Sequence, residues 1–171
     1  IDLSDATLKS ALEDLEFTPC GPQDISKFGF VQPMSESTEL FYKANNQILI
    51  LTLKEEKNIP KDEIKDELDR RVSAIELTQS RKLKKAEIES IKDDVILSLL
   101  PRAFSKKTHT PIWIDLNKNL IIVDSSSFKK AEDCLALLRK ALGSLPVVPY
   151  TFSKNVSAIL NHWVTENITP E

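Results

Sequence analysis

Two apolar stripes in the middle of the chain carry its most informative pattern. Ile64, Leu68, Val72 and Ile75 recur at steps of four, four and three, and Ile88, Ile91, Val95 and Leu99 form a second series. Wound as one helix at about 100° per residue, the two series fall on nearly opposite faces. A single straight helix on one core cannot bury both, so the pattern predicts two helices with a break near residues 78–86. Pro60 suits the start of the first helix, and Pro101 kinks or ends the second.

Other elements follow from similar patterns. Ser4 is placed to cap a first helix carrying Leu8, Ala11, Leu12 and Leu15 on one face, and Gly21-Pro22 forces a turn after it. Strands are predicted at 28–31, 40–43 and 47–54. The last of these reads ILILTL, apolar on both faces as a central strand is, and Asn45-Asn46 makes 40–54 a hairpin. A second hairpin joins 111–115 to 120–124 around Asn117-Lys118-Asn119. Ser127 caps a helix over 128–142, with Ala131, Cys134, Leu135, Leu138 and Leu142 inward and Gly143 closing it. An extended stretch at 145–150 precedes a last helix over 156–165, capped by Asn155. The predicted fold class is α+β with a mainly antiparallel sheet and packed helices.

Charge changes the picture more than composition does. With 171 residues, 41% apolar and 29% charged, the chain is long enough to bury a sizeable core. Runs such as Ile48 to Leu51 are far too short to span a bilayer. The formal net charge is −3, yet it is unevenly spread: 1–16 carries five acids and one Lys, whereas 79–107 carries eight Lys/Arg against four Asp/Glu. Arg81, Lys82, Lys84 and Lys85 place four cations in five residues. If helical, they lie within an arc of about 160° and face a phosphate backbone together. An acidic protein partner or a solvated helix end explains the same cluster. Lys106 and Lys107 continue the positive stretch, while Lys129-Lys130 and Arg139-Lys140 flank a buried helix and read as solvent-facing. Neither helix-turn-helix spacing nor a paired-cysteine finger is present, so base readout is not expected.

Catalytic patterns are thin. Glu55-Glu56-Lys57 holds the (D/E)xK half of a metal-dependent nuclease signature, for which Asp24 would be the upstream carboxylate. Asp115 and Asp124 sit at strand ends, where hairpins commonly carry Asp, and His109 and His162 have no nucleophile in a recognisable motif. Gly21, Gly29 and Gly143 are the only glycines, which excludes a Gly-rich phosphate loop. Cys20 and Cys134 lack metal-site or redox-pair spacing and read as reduced thiols of a cytosolic protein. No secretory signal is recognised at Ile1, so the triplets at Asn155 and Asn167 are taken as chance matches to a glycosylation site. The expectation is a protein that is not an enzyme and holds no cofactor and no metal.

Five segments carry a resemblance: FTPCGPQD at 17–24, KEEKNIP at 54–60, RKLKK at 81–85, SLLPRAFS at 98–105 and KKAEDCLALLRKALGSLPVVP at 129–149. In that order they make the chain similar to RdgC, a bacterial family of recombination-associated DNA-binding proteins. The resemblance implies a ring-shaped homodimer that encircles duplex DNA without sequence preference, restrains RecA-driven recombination and resides on the nucleoid in the cytoplasm. It implies a protruding two-helix tip at 61–108, set into a central α+β domain formed by 1–60 and 109–171. The family's short first strand and its C-terminal base domain have no counterpart in these residues. On the same ground, Arg81, Lys82, Lys84, Lys85, Lys106 and Lys107 are candidate DNA contacts, and Leu99, Leu100 and Phe104 are candidate subunit contacts at the helical tips. The competing expectation is a protein-interaction module whose tip binds a recombination partner.

Overall fold

The computed structural model describes residues 3–35, 37–150 and 156–166. In chain order the elements are α1 (Asp5–Glu13), β1 (Ser26–Val31), β2 (Phe41–Ala44), β3 (Gln47–Asn58), α2 (Lys61–Gln79), α3 (Lys85–Leu99), β4 (Phe104–Asp115), β5 (Leu120–Val123), α4 (Phe128–Leu142) and α5 (Val156–Glu166). The fold is α+β around one antiparallel sheet. β3 is its spine: along one edge it pairs β2 with residues 47–50 and β1 with 51–56, and along the other it pairs β4 over its full length. β5 closes the far edge against Ile112–Asp115.

Alternation along these strands sorts the sheet into two faces. Ile48, Ile50 and Thr52 of β3 lie in register with Ile114, Ile112 and Thr110 of β4, and all six are buried. This face packs under Leu8 and Leu12 of α1 and Cys134 and Leu138 of α4. The Thr52 hydroxyl donates to the Thr110 carbonyl at 2.9 Å and meets the Cys134 thiol at 3.5 Å, so the polar atoms under α4 are paired. Gly29 is required in β1, because a Cβ there would stand 2.5 Å from Phe17 Cα.

Hairpin turns form where Asn residues stand. Asn45 and Asn46 have φ of 50° and 60°, the left-handed pair that a two-residue hairpin needs. Ser127 accepts a bond from the Lys130 amide, and Gly143 ends α4 at φ 74°. Asn155, the expected cap of α5, lies outside the described residues. Residues 145–150 carry no regular element, with Leu145 tucked into the core.

The predicted break is present. α2 leaves the sheet at Asn58, runs 19 residues (about 28 Å) and stops at Ser80, whose φ of 50° takes the chain out of the helix. α3 then returns toward β4. The reversal turns the two apolar stripes toward each other, forming an antiparallel helical arm. Only Val95 of the stripes is fully buried, since two helices alone cannot enclose their seam. The Arg71 guanidinium donates to Ser98 Oγ at 2.9 Å and to Glu67 at 2.7 Å, tying the helices together near the foot of the arm.

β4 corrects the strand expected at 111–115. It starts at Phe104, and residues 104–108 pair with 54–58 as the root of the arm. The helical arm is therefore 61–102, with a short 3-10 turn at Leu100–Arg102 around Pro101, while 104–108 belong to the sheet.

Candidate nucleic-acid interface at the apex and foot of the arm

The cation cluster occupies the turn at the apex of the arm, and two carboxylates shape it. Glu76 near the end of α2 accepts from Lys82 Nζ at 2.6 Å and from the Leu83 amide at 3.0 Å. Glu87 in the first turn of α3 accepts from the Arg81 guanidinium at 2.6 and 2.9 Å and from the Lys84 amide at 2.8 Å. Both carboxyls are held below the usual range, chiefly by these cations: Glu76 by Lys82, and Glu87 by Arg81, down to about 2. The expected helical arc is thus corrected. Residues 80–84 are not helical, because Ser80 leaves the helix and the freed amides of Leu83 and Lys84 bind side-chain carboxylates instead.

This divides the cluster into two kinds of cation. Arg81 and Lys82 are engaged in building the turn, although the Lys82 side chain remains 90% exposed. Lys84 and Lys85 are exposed and, among the described residues, form no ion pair. They are the cations at the apex left for an external anion.

Lys106 and Lys107 lie at the other end of the arm, an α3 length of about 22 Å away. They are adjacent on β4 and therefore point to opposite faces of the sheet. Lys106 stands across from Glu56, which is paired with Lys54 at 2.7 Å, and Lys107 stands across from Glu55. The six candidate cations do not form one patch.

The candidate subunit contacts divide as well. Phe104 is 88% exposed, its ring outside the core. Leu100 is only 1% exposed and anchors the end of α3; it has no surface to offer another chain. Leu99 is half-buried. All three sit at the foot of the arm rather than at its apex, because the chain has returned to the sheet by Leu99. The exposed apolar side chain near the apex is Leu77, 81% accessible and outside the stripe of α2, which is why the periodicity passed over it.

The foot also contains a polar clasp that joins three of the segments behind the resemblance. Lys57 Nζ donates at 2.9 Å to the carbonyls of both Pro22 and Leu100. Glu55, 6% exposed, accepts from the Cys20 amide at 2.9 Å, and the Cys20 thiol reaches the Glu55 carbonyl at 3.6 Å. The Ser105 hydroxyl binds the Glu55 carboxylate and is the main cause of its lowered pKa, with the Cys20 amide second. Asp24 accepts from the Gly21 amide at 2.8 Å, which likewise lowers its pKa. The residues of the half-signature for a nuclease are thus committed to holding backbone and hydroxyl groups. Among the described residues no group of three His, Cys, Asp or Glu is placed to hold a metal ion.

Comparison with known proteins agrees with the family resemblance of the sequence. A family model described as "Putative exonuclease, RdgC" matches residues 1–171. A recombination-associated protein RdgC of Haemophilus influenzae (strain PittGG) is 50% identical over 170 residues, 99% of this chain and 56% of that protein. The protein of the same name from Mannheimia succiniciproducens is 48% identical over 171 residues, 100% of this chain and 57% of its own, and that from Pasteurella multocida is 46% identical over 170 residues. The chain belongs to the RdgC family. It spans little more than half the length of these RdgC relatives. The family description names an exonuclease and the relatives' names speak of recombination; neither assigns a catalytic residue here. No helix among the described residues is long and apolar enough to cross a membrane.

Proposed function

We propose that this RdgC-family chain is part of a non-catalytic, sequence-independent duplex-DNA-binding protein that acts as a homodimer in its full-length form. By occupying DNA it limits the recombinase RecA, and it works on the nucleoid in the cytoplasm. The observation that carries the reading is the pair Lys84 and Lys85, exposed at the apex of the arm and, among the described residues, without an ion pair. The matching side chains neutralise phosphates and release counterions, which gives affinity without sequence information. Lys106 and Lys107 lie on opposite faces of the sheet at the foot, so one of the two supplies a second contact. Arg81 and Lys82 hold the apex in shape and add long-range positive potential. The commitment of Glu55, Lys57 and Asp24 to the clasp supports a structural role for them over nuclease chemistry.

Binding of the full-length protein to several unrelated duplexes of equal length tests this reading. Dissociation constants within about threefold of one another are expected, since each base-specific contact would add a preference of about tenfold or more. A single strongly preferred sequence would overturn it.

Exposed Leu77 and Phe104 favour a second reading, in which the arm binds a recombination partner protein through apolar anchors. Titrating the full-length protein with duplex DNA and with purified RecA separately discriminates the two. Affinity for RecA that needs Leu77 and ignores Lys84 and Lys85 would favour the second.

A further inference from the structure

The sheet face turned away from α1 and α4 carries an apolar strip that the DNA-binding reading leaves unexplained. Tyr42, Leu49, Trp113 and Ile122 are direct cross-strand neighbours and form one row across four strands. Val31, Leu51 and Pro111 form the next row. Tyr42, Trp113 and Ile122 are 46%, 45% and 47% exposed, and Leu49, Leu51 and Val31 are half-buried. The equivalent positions on the opposite face are closed by helices.

Dimensions narrow the occupant. Three strand gaps make the strip about 14 Å wide, and two rows make it about 7 Å deep, a footprint on the order of 100 Å². A stable contact between separate molecules buries about 800 Å² on each partner. The strip is therefore too small to recruit a second copy or a free protein unaided. A tethered segment does not meet that requirement, because linkage replaces bimolecular association with a high effective concentration. One helix of about 10 Å diameter and three turns, about 16 Å long, covers the strip. The RdgC relatives supply a source, since the match covers only 56% of the length of the Haemophilus protein.

We infer that this strip is the docking site for an amphipathic helix from the part of the full-length chain outside these 171 residues. Trp113 and Leu49 form the floor of the site, and Tyr42 and Ile122 form its two rims. Docking closes the sheet into a helix–sheet–helix sandwich and fixes the remainder of the chain at the end of the sheet remote from the arm. This inference does not depend on DNA binding.

The test uses the full-length protein with p-benzoylphenylalanine in place of Tyr42, an aromatic-for-aromatic exchange at a half-exposed rim. Irradiation is expected to give an intrachain crosslink to a peptide outside the 171 residues. A crosslinked dimer, a crosslink to α5 or elsewhere within these residues, or no crosslink overturns the inference. A second measurement compares thiol labelling of Ile122→Cys with that of Val148→Cys, read peptide by peptide. Val148 is 89% exposed and serves as the open reference. Labelling at position 122 at least tenfold slower is expected, and equal rates overturn the proposal.

Discussion

Arg81 and Glu87 meet across the apex of the arm in a two-pronged ion pair, at 2.6 and 2.9 Å, although six residues separate them and neither shares a helix with the other. The pair holds the turn that reverses the chain, and it places Lys84 between its two members in sequence. A cation that looks available for phosphate is in fact a structural part of the apex.

That relationship predicts an acid-sensitive apex. Glu87 titrates at about 2, below its ordinary value, because Arg81 and the Lys84 amide favour the carboxylate. A group with a depressed folded-state pKa contributes stability above its unfolded pKa and loses it as pH falls through the folded value. Order at 80–85 is therefore expected to persist at neutral pH and to decline from about pH 4.3 toward pH 2. Carboxyl NMR titration of Glu87 checks this, and Arg81→Gln should move its midpoint upward toward the ordinary glutamate range.

The break between α2 and α3 was legible in the sequence because it rests on periodicity: the stripes through Ile64 and Ile88 conflict on one helix and agree on two. The turn chemistry was not, since the contacts of Glu76 with Lys82 and of Arg81 with Glu87 span six residues and appear only once the chain has reversed. The first half of β4, FSKKTHT, carries no apolar alternation, and its pairing is imposed by β3 across 46 residues from Asn58 to Phe104. Hence no pattern in the sequence separates the foot from the tip. Leu100 and Phe104 look alike as apolar neighbours of Pro101, and only tertiary packing distinguishes an anchor from an exposed ring.

Those two residues should respond oppositely to substitution. Leu100→Ala removes a buried anchor and is expected to cost about 2–5 kcal/mol. Phe104→Ser should change stability by no more than about 0.5 kcal/mol, because its ring is in water. Denaturant unfolding of the two variants provides the check; a large loss in Phe104→Ser would mean that the ring is covered.

Lys57 bridges the loop after α1 and the end of α3 through the carbonyls of Pro22 and Leu100. Lys57→Met keeps the stem but removes both charge-assisted bonds, an expected loss of about 2 kcal/mol. Amide exchange should accelerate at 20–25 and 100–105 while the helical seam near Val95 stays protected. Uniform acceleration throughout the chain would show that the clasp supports the whole domain rather than the root of the arm.

The most direct test of the central claim is the salt dependence of duplex binding by the full-length protein, with and without Lys84→Gln and Lys85→Gln. Each phosphate neutralised contributes about −0.9 to the slope of log K against log salt. A steep slope is expected for the parent protein, shallower by about 1–2 in the double variant, and equally so on unrelated sequences. A slope unchanged by losing both lysines would contradict the assignment of the apex as a phosphate contact.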